Sequence, residues 1–302
     1  MKKILIIGSK GFIGSHAMDH FSANAAYDCY GCDVVTDHGA RNYFTIDAGI
    51  SDFDEIFEAH RFDVCINCSG AASVPDSLKH PLRDFNLNVF NVVKVLDSIR
   101  RHSGSCRFIN LSSAAVYGNP ESLPVNENAA RKPMSPYGYH KLMAEDICKE
   151  YAGHFGLHTC SLRIFSAYGP GLKKQLLWDI FQKTLAGKEV LLFGTGKETR
   201  DFIYVSDIIR SLELVVGQGV FEGAVYNIAN GQEVSVQELA SVLLAKIGFN
   251  GTLGFNGEQR EGDPTRWSAD IAKIKQLGYA PAVSLDAGID RYVQWLREEK
   301  LL

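Results

Sequence analysis

Short apolar runs alternate along the first half of the chain with longer stretches in which apolar residues recur every three or four positions. The runs KKILIIG (2–8), YDCYGCDVV (27–35), NYFTID (42–47), FDVCINC (62–68), CRFINLS (106–112) and LHTCSLRIF (157–165) are rich in β-branched, aromatic and Cys residues, which predicts strands. Helical spacing between them predicts helices over 12–23, 51–60, 82–102 and 136–153. Strands apolar on both faces and separated by helices imply the α/β class, with a doubly wound parallel sheet covered on both sides. After Gly169-Pro170-Gly171 the texture changes. Helices are expected at about 175–187, from Asp207 onward, at 235–247 and at 284–299, around the Gly-rich turn FGTGKETRD (193–201) and the Gly- and Asn-rich segment IGFNGTLGFNGEQREGDP. There is no internal repeat or long linker, so a second lobe should be small and interleaved with the first. We expect residues 1–166 to form a cofactor-binding domain to which 199–230 return, with 167–198 and 231–302 forming the substrate lobe.

Composition narrows the partners. At 302 residues, 46% hydrophobic and 22% charged, the chain has an ordinary globular make-up and ample length for a core. A net charge of −4 and a pI near 6.1 give no electrostatic reason to expect nucleic acid or an anionic membrane as partner. The opening MKKILIIG imitates a secretory signal, but Gly8, Ser9 and Lys10 break it short of the roughly 7–15 apolar residues such a signal needs. No stretch approaches the roughly 20 apolar residues of a membrane span, and a cytoplasmic protein is expected. Seven cysteines are an odd count for a disulfide scaffold and fit a reducing compartment. Cys29/Cys32 and Cys65/Cys68 have CxxC spacing. Both pairs lie in strand-like runs, where residues three apart point to opposite faces, so no metal site is expected.

Candidate chemistry starts at GSKGFIG, where Gly8, Gly11 and Gly14 follow a strand and open a helix. Glycines there permit a tight turn and close approach of backbone to a pyrophosphate, which a helix N-terminus attracts. Asp33 ends the next strand, where a carboxylate would accept hydrogen bonds from adenosine ribose hydroxyls and repel a 2′-phosphate. NAD is therefore favoured over NADP. In SPYGYHK (135–141), Tyr137 and Lys141 stand four apart and are neighbours on one helix face. A free phenol has a pKa of about 10. A nearby ammonium, together with the charged nicotinamide of NAD, favours phenolate and brings the group toward the range in which a general base works.

These motifs resemble the extended short-chain dehydrogenase/reductase family, whose members mostly modify nucleotide sugars on a Rossmann fold. The likeness runs through nearly the whole chain. It implies that Phe12 and Ile13 belong with the glycines to the cofactor turn, and that Asp47-Ala48 meets the adenine. NCSGAASV (67–74) resembles the loop along the cofactor, implicating Cys68, Ser69 and Gly70, with Ser73 toward substrate. Asn88 matches the asparagine of the following helix. NLSSAAVYG (110–118) places the catalytic serine at Ser113, and SPYGYHK supplies Tyr137 and Lys141 as the YxxxK pair. LRIFSAYGPG (162–171) resembles the crossover into the substrate lobe, where Ser166 stands in place of a frequent Asn. TRDFIYVSD (199–207) and REGDP (260–264) resemble the phosphate clamp and point to Arg200 and Arg260, with Arg266 a competitor for the second place. His140 stands where Ser is usual before the Lys. Trp178 is expected on an amphipathic helix with Leu177, Ile180 and Phe181 facing the core.

The resemblance implies an enzyme but leaves the reaction open, because one scaffold hosts several chemistries. In the family's 4,6-dehydratases and decarboxylases an acidic residue follows the catalytic Ser/Thr within two positions. Here Ala114 and Ala115 follow Ser113, and a methyl group moves no protons. The leading expectation is an NAD-dependent nucleotide-sugar 4-epimerase. Tyr137 would take the 4-hydroxyl proton while hydride passes to NAD, and hydride would return to the other face of a 4-keto intermediate. The alternative is a 4-ketoreductase of deoxysugar synthesis. A dehydratase or decarboxylase ranks lower, and a non-catalytic nucleotide-sensing protein lowest. A homodimer through 82–102 and 136–153 is what the resemblance implies.

Overall fold

A computed structural model describes residues 1–258, 260 and 262–302; Glu261, within the REGDP segment, lies outside the described residues. The first half runs β1 (Lys2–Ile7), α1 (Phe12–Ala23), β2 (Tyr27–Asp33), β3 (Tyr43–Thr45), α2 (Asp54–Ala59), β4 (Val64–Asn67), α3 (Val74–Lys79) and α4 (Pro81–Phe85). It continues through a π-helical turn over Asn86–Phe90, α5 (Asn91–His102), β5 (Arg107–Ser113), a 3-10 turn over Ala114–Tyr117, α6 (Pro136–Phe155) and β6 (His158–Ile164). Then come β7 (Ser166–Tyr168), α7 (Gln175–Ala186), β8 (Glu189–Leu192), β9 (Thr199–Arg200), β10 (Phe202–Tyr204), α8 (Val205–Gln218) and β11 (Glu222–Ile228). The chain closes with β12 (Val234–Ser235), α9 (Val236–Ile247), β13 (Thr252–Phe255), α10 (Ala272–Lys275) and α11 (Leu285–Glu298).

Seven parallel strands form the central sheet in the order β11-β6-β5-β4-β1-β2-β3. Alternation along β1 sorts its side chains between two cores. Ile4 and Ile6 pack with Ala17 and Phe21 of α1 and Leu212 and Val215 of α8; Leu5 and Ile7 pack with Phe57 of α2, Leu96 of α5 and Ala144 of α6. Helices thus cover both faces. Cys29 and Cys32 fall in opposite cores for the same reason, as do Cys65 and Cys68. All seven thiols are free, and among the described residues no three His, Cys, Asp or Glu side chains converge as a metal site. No described helix is long and apolar enough to cross a membrane.

Sheet order reverses between β1 and β4, so the loops leaving these two strands diverge and open a crevice at their carboxyl ends. A third core, with Leu177, Ile180, Phe181, Val190, Leu239, Leu243, Ile289 and Leu296, sits beyond that crevice and unites α7, α9 and α11.

Several boundaries differ from expectation. β2 ends at Asp33, not at 35, because the Asp33 carboxylate accepts the N–H groups of Val34 (2.8 Å) and Val35 (3.2 Å) and turns the chain. The helix expected from 51 starts at Asp54, after Ser51 takes a left-handed φ of 48°. The helix expected over 82–102 is interrupted by the π turn. β11, at EGAVYNI, was not expected; it pairs with β6 and completes the sheet edge.

Candidate active site

The crevice widens into a cavity of about 750 Å³ between the sheet's carboxyl edge and the third core. Its wall includes Ile13, Cys68, Ser69, Gly70, Ser73, Ser113, Tyr137, Lys141, Ser166, Arg200 and Arg260. The structure therefore brings together all three proposed catalytic side chains and all five substrate-side residues. Gly8, Gly11, Gly14, Phe12, Asp33, Asp47, Ala48 and Asn88 are not part of that wall.

The glycine turn is built by contact. Gly8 has φ +78° and approaches so close that a Cβ there would lie 2.6 Å from the Ser69 N, while one at Gly14 would lie 2.0 Å from the Gly8 carbonyl oxygen. Gly11 is the N-cap of α1, whose first turn has neither a side-chain cap nor an acidic residue. Its exposed amide dipoles suit an anion. Asp33 stands beside this turn, its carboxylate accepting the Lys10 N–H at 2.8 Å. Phe12 turns its side chain into the third core, edge-on to His16 at 5.5 Å, so only its backbone faces the turn. Asp47 is exposed and accepts the N–H groups of Gly49 (2.7 Å) and Ile50 (3.0 Å). These features fit a dinucleotide laid from Asp33 across the turn toward Tyr137.

Local sequence explains the catalytic corner. Ser135 caps α6 by accepting the Gly138 N–H at 3.2 Å, and Pro136 occupies the first turn. A Cβ at Gly138 would lie 2.7 Å from the Ala115 carbonyl oxygen, so glycine allows α6 to seat directly on the turn that follows Ser113. Ser113 ends β5, accepts the Ala115 N–H at 3.2 Å and shares the cavity wall with Tyr137, whose phenol pKa it acts to lower. Lys141 is buried; its Nζ donates to the Leu111 carbonyl at 2.9 Å and lies 5.9 Å from the Tyr137 ring centre.

The electrostatics show how little the protein groups do alone. The phenol of Tyr137 is pushed up to about 12 by burial, which outweighs the lowering influence of Ser113, and Asp84 raises it further. Burial also draws Lys141 down to about 8. The ammonium's bond goes to Leu111, so these protein groups alone leave the phenol neutral at pH 7. Lowering its pKa needs a further cation at the site.

Arg200 is half-buried, donates to the Thr199 carbonyl at 2.8 Å and stacks on Trp267 at 5.5 Å. Burial lowers its pKa and Asp263 opposes that. Arg260 is exposed and lies over the Phe193 ring at 4.6 Å. Arg266 is held outside the cavity wall by both oxygens of Glu233, at 2.7 and 2.9 Å, which leaves Arg260 the better placed of the two. Ser73 Oγ caps α3 by accepting the Asp76 N–H at 3.2 Å. Trp178 lies on the expected amphipathic helix beside the buried Leu177, Ile180 and Phe181; it packs against that core, 5.4 Å from the Phe181 ring, and also borders the cavity with Asp179 and Gln182. Sequence reasoning missed a buried pair behind Lys141, in which Asp84 Oδ1 meets His140 Nδ1 at 2.6 Å.

Comparison with known proteins agrees with this arrangement. The UDP-glucose 4-epimerase of Thermotoga maritima, solved with UDP-glucose, is 29% identical with a TM-score of 0.89, covering 99% of this chain and 99% of its own. The UDP-glucuronic acid 4-epimerase of Bacillus cereus, solved with UDP-glucuronic acid and NAD, is 27% identical with a TM-score of 0.89, covering 98% and 99%. A UDP-glucose 4-epimerase of Azospirillum brasilense is 29% identical over 98% of this chain and 92% of its own length. Residues 4–229 match the family described as the NAD dependent epimerase/dehydratase family, and the chain belongs to it.

Proposed function

We propose that this protein is an NAD-dependent nucleotide-sugar 4-epimerase. The observation that carries the reading is the convergence of Ser113, Tyr137 and Lys141 on the wall of one large cavity that also holds two arginines. When bound, NAD supplies the hydride acceptor, and later the donor, at the sugar carbon, and its nicotinamide supplies the positive charge that the protein groups lack. Ser113 positions the sugar hydroxyl, and Tyr137 takes and returns its proton through the phenol oxygen. Lys141 holds its charge behind the ring and orients the cofactor ribose. Gly8, Gly11 and Gly14 with the N–H groups of Phe12 and Ile13 would bind the pyrophosphate, Asp33 the ribose, and Asp47-Ala48 the adenine. Arg200 and Arg260 offer paired donors to the substrate diphosphate. Ala114 and Ala115 are buried beside Ser113 and supply no second acid, which weighs against dehydration or decarboxylation.

We divide the chain into 1–166 with 199–230 for the cofactor, and 167–198 with 231–302 for the nucleotide sugar; the packing of α7, α9 and α11 into a core of their own supports a second lobe. The seven unbonded cysteines support the cytoplasm. An exposed apolar stripe, Leu82, Phe85, Phe90, Tyr139 and Met143 on α4, the π turn and α6, supports a homodimer.

Purified protein should keep NAD through dialysis and interconvert UDP-glucose and UDP-galactose, or another 4-epimeric pair from a nucleotide-sugar panel, without added reductant. Activity only with added NADH or NADPH on a 4-keto sugar would instead establish the ketoreductase.

A further inference from the structure

We propose that Asp84 and His140 are positioning residues behind the active site: the His140 ring fixes the Asp84 carboxylate, which in turn orients Asn88 and serves as the counter-charge for Lys141. The inference deepens the reading above and rests on Lys141 acting beside Tyr137.

Asp84 is 1% exposed and Asn88 is 2% exposed, so both are shut off from bulk solvent. Asp84 Oδ1 accepts from both His140 Nδ1 at 2.6 Å and Asn88 Nδ2 at 3.1 Å. Its other oxygen, Oδ2, has no hydrogen-bond partner among the described residues, and neither has Asn88 Oδ1. A buried carboxylate with half its acceptor capacity unused is costly unless a nearby charge compensates it. Lys141 follows His140 on the same helix. A Cβ at Gly70 would lie 2.5 Å from Asn88 Oδ1 and 3.5 Å from Lys141 Nζ, so the amide and the ammonium crowd one point. The π turn makes this possible by swinging Asn88 inward between α4 and α5. Phe85 closes the outer side, edge-on to the His140 ring at 5.5 Å.

Other charged groups on the packed elements leave Asp84 as the near counter-ion. Arg83 pairs with Asp76 at 3.1 Å on the surface, and Lys79, His80 and Asp146 are exposed. Glu145, one turn beyond Lys141, is held by Arg163 at 2.7 Å. The thiol of Cys68 is pushed up to about 12 by burial and is neutral near pH 7. Asp84 is the largest of the influences that oppose the burial penalty on Lys141.

The test is the titration of Lys141 itself, read without substrate or cofactor. In protein labelled with [13Cε]lysine, the Lys141 resonance is assigned by its loss in Lys141→Arg. Asp84→Asn should lower its midpoint by about one pH unit. His140→Ala should shift it the same way, and His140→Asn, which keeps a donor near the Nδ1 position, should restore it. An unmoved midpoint in Asp84→Asn, or His140→Asn behaving like His140→Ala, would overturn the proposal. The two His140 variants leave Asp84 in place and decide the matter if Asp84→Asn does not fold. Because nothing in this titration depends on turnover, absent epimerisation with shifted midpoints would count against the proposed function alone.

Discussion

Tyr137 and Lys141 have opposite difficulties with burial. The phenol loses its anionic form and the lysine loses its cationic one, since a low-dielectric site disfavours either charge. The phenol at about 12 and the ammonium at about 8 both express this. A folded pKa above the ordinary value means the phenol keeps its proton until the pH rises through that higher value. In cofactor-free protein, the ultraviolet difference between the parent and Tyr137→Phe should therefore show no phenolate up to about pH 10. Loading NAD should move phenolate formation to lower pH. Phenolate already present near pH 8 in the cofactor-free protein would mean that Lys141 alone suffices, contrary to the geometry. The YxxxK spacing made this pair legible in the sequence, but the strength of burial was not, because it depends on the cavity that two distant segments enclose. That Trp178 borders both the core stripe and the cavity was hidden for the same reason.

At the scale of elements, the first six strands were legible because each is a short apolar run between turn residues. β11 was harder to read: EGAVYNI begins with Glu and Gly, and it joins the sheet only by pairing with β6. The interruption of the 82–102 helix was also hidden, since a π turn adds one residue to a turn without changing the apolar pattern much. That interruption places Leu82, Phe85 and Phe90 on one outward surface beside Tyr139 and Met143 of α6. If two copies join there, light scattering should give twice the mass of the chain. A Leu82→Glu/Met143→Glu variant should run as a monomer, because charge is depleted at the centre of such interfaces. A parent of single-chain mass would contradict the dimer.

For the whole molecule, the fold and family were evident from the ordered segments, whereas the cavity between sheet edge and third core is a property of tertiary packing alone. Its wall is assembled from widely separated stretches, among them 68–75, 111–118, 134–141, 164–182 and 192–202. Only the resemblance linked them before the structure did. Which base and which hexose fill the nucleotide-sugar end follows from that packing and is the question put to the substrate panel. The most direct measurement of the central claim is the turnover of Tyr137→Phe alongside its NAD content. Loss of a positioned general base lowers rate by roughly 10²–10⁴-fold. The account predicts a fall of that size with NAD still retained and nucleotide-sugar binding within a few-fold of the parent. Turnover close to the parent rate would contradict it.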